Sequence, residues 1–259
     1  TGTGTLNLAG TGPVLDIASS LTMPTGVTWN LSGTTPTLDS SAVSAVSFTV
    51  PSVDTLNLTG ATVTNKVNVT NQGTLNLSTV TVNGALANSG ALNIAAGANS
   101  AVNGALTNTG TIQIPGAFGT TTTLTVATGF VNQGLIDIQN DVNGFGSALT
   151  VSAGTLTNAA LATIRSSGPT GGVNTLNALL TNNGTLDVQR PLTIPNTGRT
   201  LDSSTGTLNI AAGNTLTVDG GTTKLGGATG FGTGTGTLNL GGTTPVLDIV
   251  SNLTMPTGV

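Results

Sequence analysis

The side chains with the clearest capacity for chemistry are four aspartates that each lie between apolar residues. They are Asp16, Asp137, Asp187 and Asp248. The alternation predicts that each carboxylate points outward from a β-strand. Such carboxylates could bind calcium or, as a facing pair, cleave a glycosidic bond. None lies in the calcium-binding nonapeptide GGxGxDxUx, so we expect structural or solvating roles and an ordinary ion pair between Asp187 and Arg190.

Other catalytic chemistries lack the residues they need. The chain has no histidine or cysteine, which excludes Ser–His and Cys–His catalysis and disulfides. The glycine-rich segment 220–236 lacks the phosphate-binding pattern GxxxxGK[ST], and no predicted helix follows it. The threonines of 121–126 suggest ice binding. A flat threonine array requires regular coil lengths, however, and the repeat intervals of this chain are unequal. We predict no enzymatic activity, no catalytic residue, no metal site and no cofactor.

Composition narrows the classes of protein further. Only 5% of the residues are charged, the net charge is −4 and the pI is about 4.2. This balance argues against a nucleic-acid partner, which would require a basic surface. No run approaches the ~18 apolar residues of a spanning helix, so we predict no transmembrane segment. A hydrophobic content of 37% with few charges also differs from the composition of disordered chains.

One short phrase, TLNL at 74–77, recurs along the chain and indicates the elements that would position these side chains. It is an alternating strand in which apolar residues flank one outward residue. The corresponding outward positions are Asn7, Asn30, Asn57, Asn76, Asn93, Gln113, Asp137, Thr163, Asp187, Asn209 and Asn239. These eleven positions define ten intervals of unequal length, which together run from Asn7 to Asn239.

Such repeats cannot bury an apolar face alone, but stacked repeats share a continuous core. Gly, Asn and Pro separate the strands, and no stretch has a helical period with caps. We therefore predict an all-β fold, a parallel β-solenoid of ten to eleven coils of roughly 23 residues. A two-sheet sandwich has strands at similar spacing, but its strands need not repeat one phrase in phase.

A recurring asparagine precedes the phrase, with a glycine two residues later at every position except Ala160. We predict that these asparagines share one corner and form a hydrogen-bonded amide ladder between coils. They are Asn71, Asn88, Asn108, Asn132, Asn158 and Asn182. The alternative is that asparagine merely tolerates the turn.

A longer repeat also runs through the chain. The segments 1–27 and 233–259 match at 23 of 27 positions. We therefore predict that 1–232 is one long repeat forming a continuous solenoid and that 233–259 begins the next. Ten coil intervals at about 4.8 Å give a rise of roughly 48 Å per long repeat. Neither end has a recognisable polar cap, so we expect the molecule to continue in both directions.

The phrases LTNNGTLDV, VTNQGTLNL and LANSGALNI resemble, over about 69–210, the repeats of large bacterial secreted β-helical proteins. Filamentous-haemagglutinin-type adhesins and autotransporter passenger domains are the nearest comparison. The resemblance implies a right-handed β-helix, export and a surface role.

These observations predict a structural shaft of an extracellular fibre or giant cell-surface protein. Its partners would be adjacent copies of the same repeat, end to end and side by side. An adhesin stalk that binds glycans or proteins through its lateral surface is the first alternative, and a polysaccharide-active enzyme is the second.

Overall fold

The computed structural model describes residues 3–169 and 172–253. Residues 1–2, 170–171 and 254–259 lie outside the described residues, so the two copies of the long phrase are compared over their described parts. Within the described ranges the chain forms 31 β-strands and no helix. The strands build a parallel β-solenoid of eleven turns, which confirms the predicted fold class.

In chain order the strands are β1 (Gly4–Leu8), β2 (Val14–Asp16), β3 (Leu21–Thr22), β4 (Val27–Leu31), β5 (Thr37–Asp39), β6 (Val46–Val50), β7 (Thr55–Thr59), β8 (Thr62–Val63), β9 (Val67–Asn71), β10 (Thr74–Ser78), β11 (Thr81–Val82), β12 (Leu86–Asn88), β13 (Ala91–Ile94), β14 (Asn99–Val102), β15 (Leu106–Asn108), β16 (Thr111–Ile114), β17 (Thr122–Thr128), β18 (Val131–Asn132), β19 (Leu135–Gln139), β20 (Ser147–Asn158), β21 (Thr163–Ser167), β22 (Asn174–Asn182), β23 (Thr185–Val188), β24 (Leu192–Pro195), β25 (Thr200–Asp202), β26 (Thr207–Ile210), β27 (Thr215–Asp219), β28 (Thr222–Leu225), β29 (Gly230–Phe231), β30 (Thr237–Gly241) and β31 (Val246–Ile249).

Each turn crosses three faces, which we number one to three in the order of the chain. Face one is an eleven-stranded sheet that begins with β1, β4 and β7 and ends with β29. Faces two and three begin with β2 and β3, and they form one twenty-stranded sheet because β20 and β22 each run through the corner between them. The strands pair in parallel throughout, so each turn lies one strand spacing, about 4.8 Å, above the last.

The repeated phrase folds this way because its alternation matches the two sides of a strand. In β10, Leu75 and Leu77 are buried, whereas the residues between and beside them are partly exposed. Leu75 lies in register above Leu56 and below Leu92. Columns of this kind from successive turns merge into one hydrophobic core. Removing these side chains from water is the main force that holds the turns together.

Close stacking at one corner explains the glycine of the recurring phrase. A Cβ on Gly90 would lie 2.1 Å from the carbonyl oxygen of Gly73, and a Cβ on Gly110 would lie 2.2 Å from that of Gly90. No side chain fits at such distances. Glycine therefore lets successive turns pass each other here at strand spacing.

The register corrects one outward position on turn eight. Arg165, rather than Thr163, pairs with Asp137. Two extra residues enlarge the preceding corner, where Leu161 adopts a φ of 70° and its side chain is exposed. Corners of this kind absorb differences in turn length while the strands keep their register.

The register also corrects the last outward position. Asn239 pairs with Thr217 on face two and not with Asn209 on face one. The eleventh place on face one is taken by Gly230–Phe231, which lies in register with Thr207–Leu208.

Candidate functional site

The six asparagines predicted to share a corner lie one above another at the end of face three, and each is at most 2% exposed. We call this column the inner ladder. In the lower five, Nδ2 donates to the Oδ1 of the asparagine on the turn above. From Asn71 to Asn182 the successive distances are 2.7, 2.8, 2.7, 2.9 and 2.8 Å.

Each rung of the inner ladder also bonds to the backbone. Asn71 Nδ2 donates to the carbonyl oxygen of Ala91 at 2.9 Å, and Asn158 Nδ2 donates to that of Thr185 at 3.1 Å. The other four rungs make equivalent bonds of 3.0 to 3.3 Å. Because these carbonyls lie just beyond the corner above, every amide joins its own corner to the next one. The ladder thus supplies the partners that buried polar groups require.

The inner ladder ends where the sequence replaces asparagine. At the lower end, Asn71 Oδ1 has no hydrogen-bond partner among the described residues, because Val50 occupies the position below it. At the upper end, Asn182 Nδ2 donates to Ser203 Oγ at 3.0 Å. The ladder therefore braces one corner of the solenoid from turn three to turn eight.

A second column of asparagines lies on the outside of face one, and the sequence had not indicated that its members bond to each other. We call it the outer ladder. It consists of Asn7, Asn30, Asn57, Asn76 and Asn93. Here each Nδ2 donates to the Oδ1 on the turn below, at 2.5, 2.6, 2.6 and 2.9 Å. The sequence signal that could have indicated this ladder was the recurrence of asparagine at five equivalent outward positions.

A groove of about 480 Å³ runs beside the outer ladder. Four outer-ladder asparagines line it together with three hydroxyl residues and four apolar ones: Asn7, Asn30, Asn57, Asn76, Ser32, Thr59, Ser78, Leu31, Leu58, Leu77 and Ala95. Its polar side chains are uncharged and can both donate and accept hydrogen bonds. This half of face one therefore presents a neutral surface on which turns two to four each carry an amide and a hydroxyl.

Higher on face one the same outward column becomes charged. The carboxylate of Asp137 is buried and accepts hydrogen bonds from Arg165 Nη2 and Nε at 2.7 and 3.2 Å, from Ser167 Oγ at 2.7 Å and from Gln139 Nε2 at 2.8 Å. Burial opposes ionisation, but Arg165 and the other donors outweigh it and hold the pKa of Asp137 below its usual value. A general acid needs a raised pKa, so this carboxylate suits an ion pair better than proton transfer.

The expected ion pair between Arg190 and Asp187 is wrong. Asp187 accepts hydrogen bonds from Gln189 Nε2 at 2.8 Å and Asn209 Nδ2 at 2.7 Å. Arg190 instead donates to the carbonyl oxygens of Gln189 and Pro169. Among the described residues, the single salt bridge joins Asp137 and Arg165.

The two remaining predicted carboxylates lie apart from these. Asp16 accepts a hydrogen bond from the backbone N–H of Ser41 at 2.6 Å, and Asp248 is the register partner of Lys224 on face three. Within residues 3–169 and 172–253, no group of three or more Asp, Glu, His or Cys residues could hold a metal ion.

Two loops project from the corner between faces one and two on turns six and seven. They bring Phe118 and Phe145 together, with ring centroids 5.4 Å apart in an edge-to-face arrangement. The rings are 74% and 38% exposed, and Val142 in the second loop is also exposed. Aromatic side chains of this kind can form contacts with a partner. The alternating pattern carried no signal for them, because both lie outside the strands.

No family model, curated protein or solved structure matches the chain. The solenoid supports the likeness in repeat architecture, whereas nothing supports the specific resemblance to filamentous-haemagglutinin-type adhesins or autotransporter passengers. Among the described residues, no helix is long and apolar enough to cross a membrane.

Proposed function

We propose that the chain is a segment of a structural shaft, in an extracellular fibre or a giant cell-surface protein made of tandem β-solenoid repeats. The observation that carries this proposal is the parallel pairing of all three faces from the first turn to the last. Each turn is held to its neighbours by backbone hydrogen bonds on three sides and by a shared core. An axial or bending load is therefore distributed over three faces. A non-catalytic role follows from this proposal.

The end surfaces support end-to-end stacking of copies. Leu6 on turn one and Leu247 on turn eleven occupy core-facing positions but are 44% and 49% exposed. At the upper end an apolar cavity of about 340 Å³ opens among residues that include Phe231 and Leu238. A further turn stacked on either end would cover these side chains and pair the free strand edges. The neutral groove beside the outer ladder would suit side-by-side contact between shafts.

Electron microscopy of native material with an antibody against the folded chain tests the proposal. We expect gold label along filaments outside the cell, and the filaments should show the ~4.8 Å axial spacing of stacked turns by cryo-microscopy. Label confined to the cell interior, or to discrete particles without this spacing, would overturn the proposal.

The exposed pair of Phe118 and Phe145 favours one alternative, an adhesin stalk that binds a glycan or a protein through its side. Aromatic rings with an exposed face supply contact area at low entropic cost. Binding of the chain to glycan arrays and to cell surfaces, compared with a Phe118→Ser/Phe145→Ser variant, separates the two functions. Specific binding that the variant loses would favour the adhesin, and equal binding would count against it.

A further inference from the structure

The two copies of the long phrase lie on different faces of the solenoid. Leu6 of the first copy belongs to face one, whereas the identical residue of the second copy, Leu238, pairs with Leu216 on face two. Following the register of face one upward from Leu6 leads, after ten turns, to Phe231 and not to Leu238. The second copy begins its strand beyond one more corner.

Both copies keep the same strand–corner–strand order. The first forms β1 and β2, and the second forms β30 and β31. The residue before the proline of the corner has a φ of 60° at Gly12 and 50° at Thr244, and the related corner at Thr35 has 51°. Threonine rarely adopts this left-handed conformation. Its recurrence indicates that the phrase specifies its corner locally, whichever faces the corner joins.

Turn length and core packing favour face two for the second copy. Placing it on face one would require a last turn that runs from Asn209 to Asn239, longer than any other turn of the solenoid. It would also remove Phe231 from its packing against the core. The observed arrangement keeps a turn of ordinary length from Leu208 to Phe231 and still packs Leu238 against the core.

We infer that each long repeat advances the shaft by ten turns and one face, so that successive repeats are rotated by about one third of a turn. This inference rests on the proposed tandem shaft. Three repeats would make 31 turns, about 149 Å at ~4.8 Å per turn, before the same surface returns to the same side.

The rotation determines where lateral partners can bind. The outer ladder and its groove would appear on face one of one repeat, on face two of the next and on face three of the third. A neighbouring shaft of the same kind would thus find the same neutral polar surface on all three sides. Such a shaft can pack in a bundle instead of a flat pair.

Engineered disulfides can test which face the second copy of the phrase occupies, because the chain has no cysteine of its own. The variant Thr217→Cys/Asn239→Cys joins the observed register partners on face two, and Asn209→Cys/Asn239→Cys joins the positions that would be neighbours in the in-phase arrangement. Asn57→Cys/Asn76→Cys, which are register partners on face one, is the matched positive control. Strand spacing lies within the ~4.4–6.8 Å between Cα atoms that a disulfide spans.

We expect oxidation to close the control and the 217/239 pair, and to leave the 209/239 pair reduced. Closure of the 209/239 pair, or of neither test pair while the control closes, would overturn the inference. The axial repeat of native filaments distinguishes failure of the proposed rotation from failure of the proposed shaft. Filaments whose full axial repeat is ~149 Å support both proposals, whereas a full repeat of ~48 Å, with no spacing at ~149 Å, keeps the shaft but removes the rotation. The absence of filaments would remove both.

Discussion

The inner and outer ladders use the same side chain at the same spacing, yet they differ in burial and in hydrogen-bond direction. The inner amides are buried, donate to the turn above and spend their second proton on a backbone carbonyl. The outer amides are more exposed and donate to the turn below. Water can replace a lost bond on the outside but not on the inside. We therefore expect the inner ladder to stabilise the fold and the outer ladder mainly to shape the surface.

The largest expected effect comes from breaking the inner ladder at its middle. Asn108→Leu would remove the acceptor of Asn88 Nδ2 and leave Asn132 Oδ1 and the carbonyl oxygen of Leu135 without this donor. Unsatisfied buried groups cost about 1–3 kcal/mol each, so we expect a loss of roughly 2–4 kcal/mol in the free energy of unfolding. Urea unfolding followed by circular dichroism measures it. A loss below that of an outer-ladder variant would contradict the distinction.

Extending the inner ladder downward should sharpen the comparison. Val50→Asn places an amide below Asn71, whose Oδ1 has no partner among residues 3–169 and 172–253, whereas Val69→Asn places one below Leu86. Both bury a polar group, but only the first gains an acceptor in line with a ladder. We expect the first to be more stable by about 2 kcal/mol in urea unfolding. Equal destabilisation would show that the lower end of the ladder cannot accept another rung.

Removing the cation from the charged part of face one should have a smaller and pH-dependent effect. In Arg165→Met the pKa of Asp137 should rise, because burial remains while the strongest donor is lost. The lowered pKa of Asp137 gives stability that is present above the unfolded value of about 4 and is lost as pH falls through the folded pKa.

We therefore expect Arg165→Met to lower the free energy of unfolding by about 1–2 kcal/mol at pH 7. The loss is this small because Arg165 is partly exposed, and it should be smaller still at pH 3. Urea midpoints at the two pH values provide the measurement. A loss that is the same at pH 3 and pH 7 would mean that the effect comes from packing and not from the ion pair.

The smallest effect is expected on the outer ladder. Asn76→Ala removes two outward amide bonds, to Asn57 and from Asn93, but water can take their place. We expect a change within about 0.5 kcal/mol, as for most surface substitutions. A loss that matches Asn108→Leu would mean that exposure does not separate the two ladders.

The sequence was sufficient to predict the fold because the alternation in phrases such as 74–77 survives in almost every turn. The alternation gives each copy one apolar side, so stacking is the arrangement that buries all copies together. The spacing of Asn71, Asn88 and Asn108 likewise indicated one shared corner, and the structure brings these amides within hydrogen-bond distance.

Counting intervals could not determine which strands share a face. The corner around Leu161 holds two extra residues, and Gly230–Phe231 forms a strand that does not resemble the phrase. A partner on the turn above or below is distant along the chain, so a shift in one corner changes which residues meet. For the same reason the pairing of Asp137 with Arg165, 28 positions away, depends on the register and not on local pattern.

Hydrogen exchange of the asparagine side-chain amides tests the central distinction most directly. NMR spectra of the ¹⁵N-labelled chain after transfer to D₂O would report each Nδ2 separately. We predict slow exchange for the inner rungs such as Asn108 and Asn132, comparable to the backbone amides of the buried strands, and fast exchange for the outer rungs such as Asn57 and Asn76. Equal exchange of the two sets would contradict the account, because the inner ladder would then be no more closed to water than the surface.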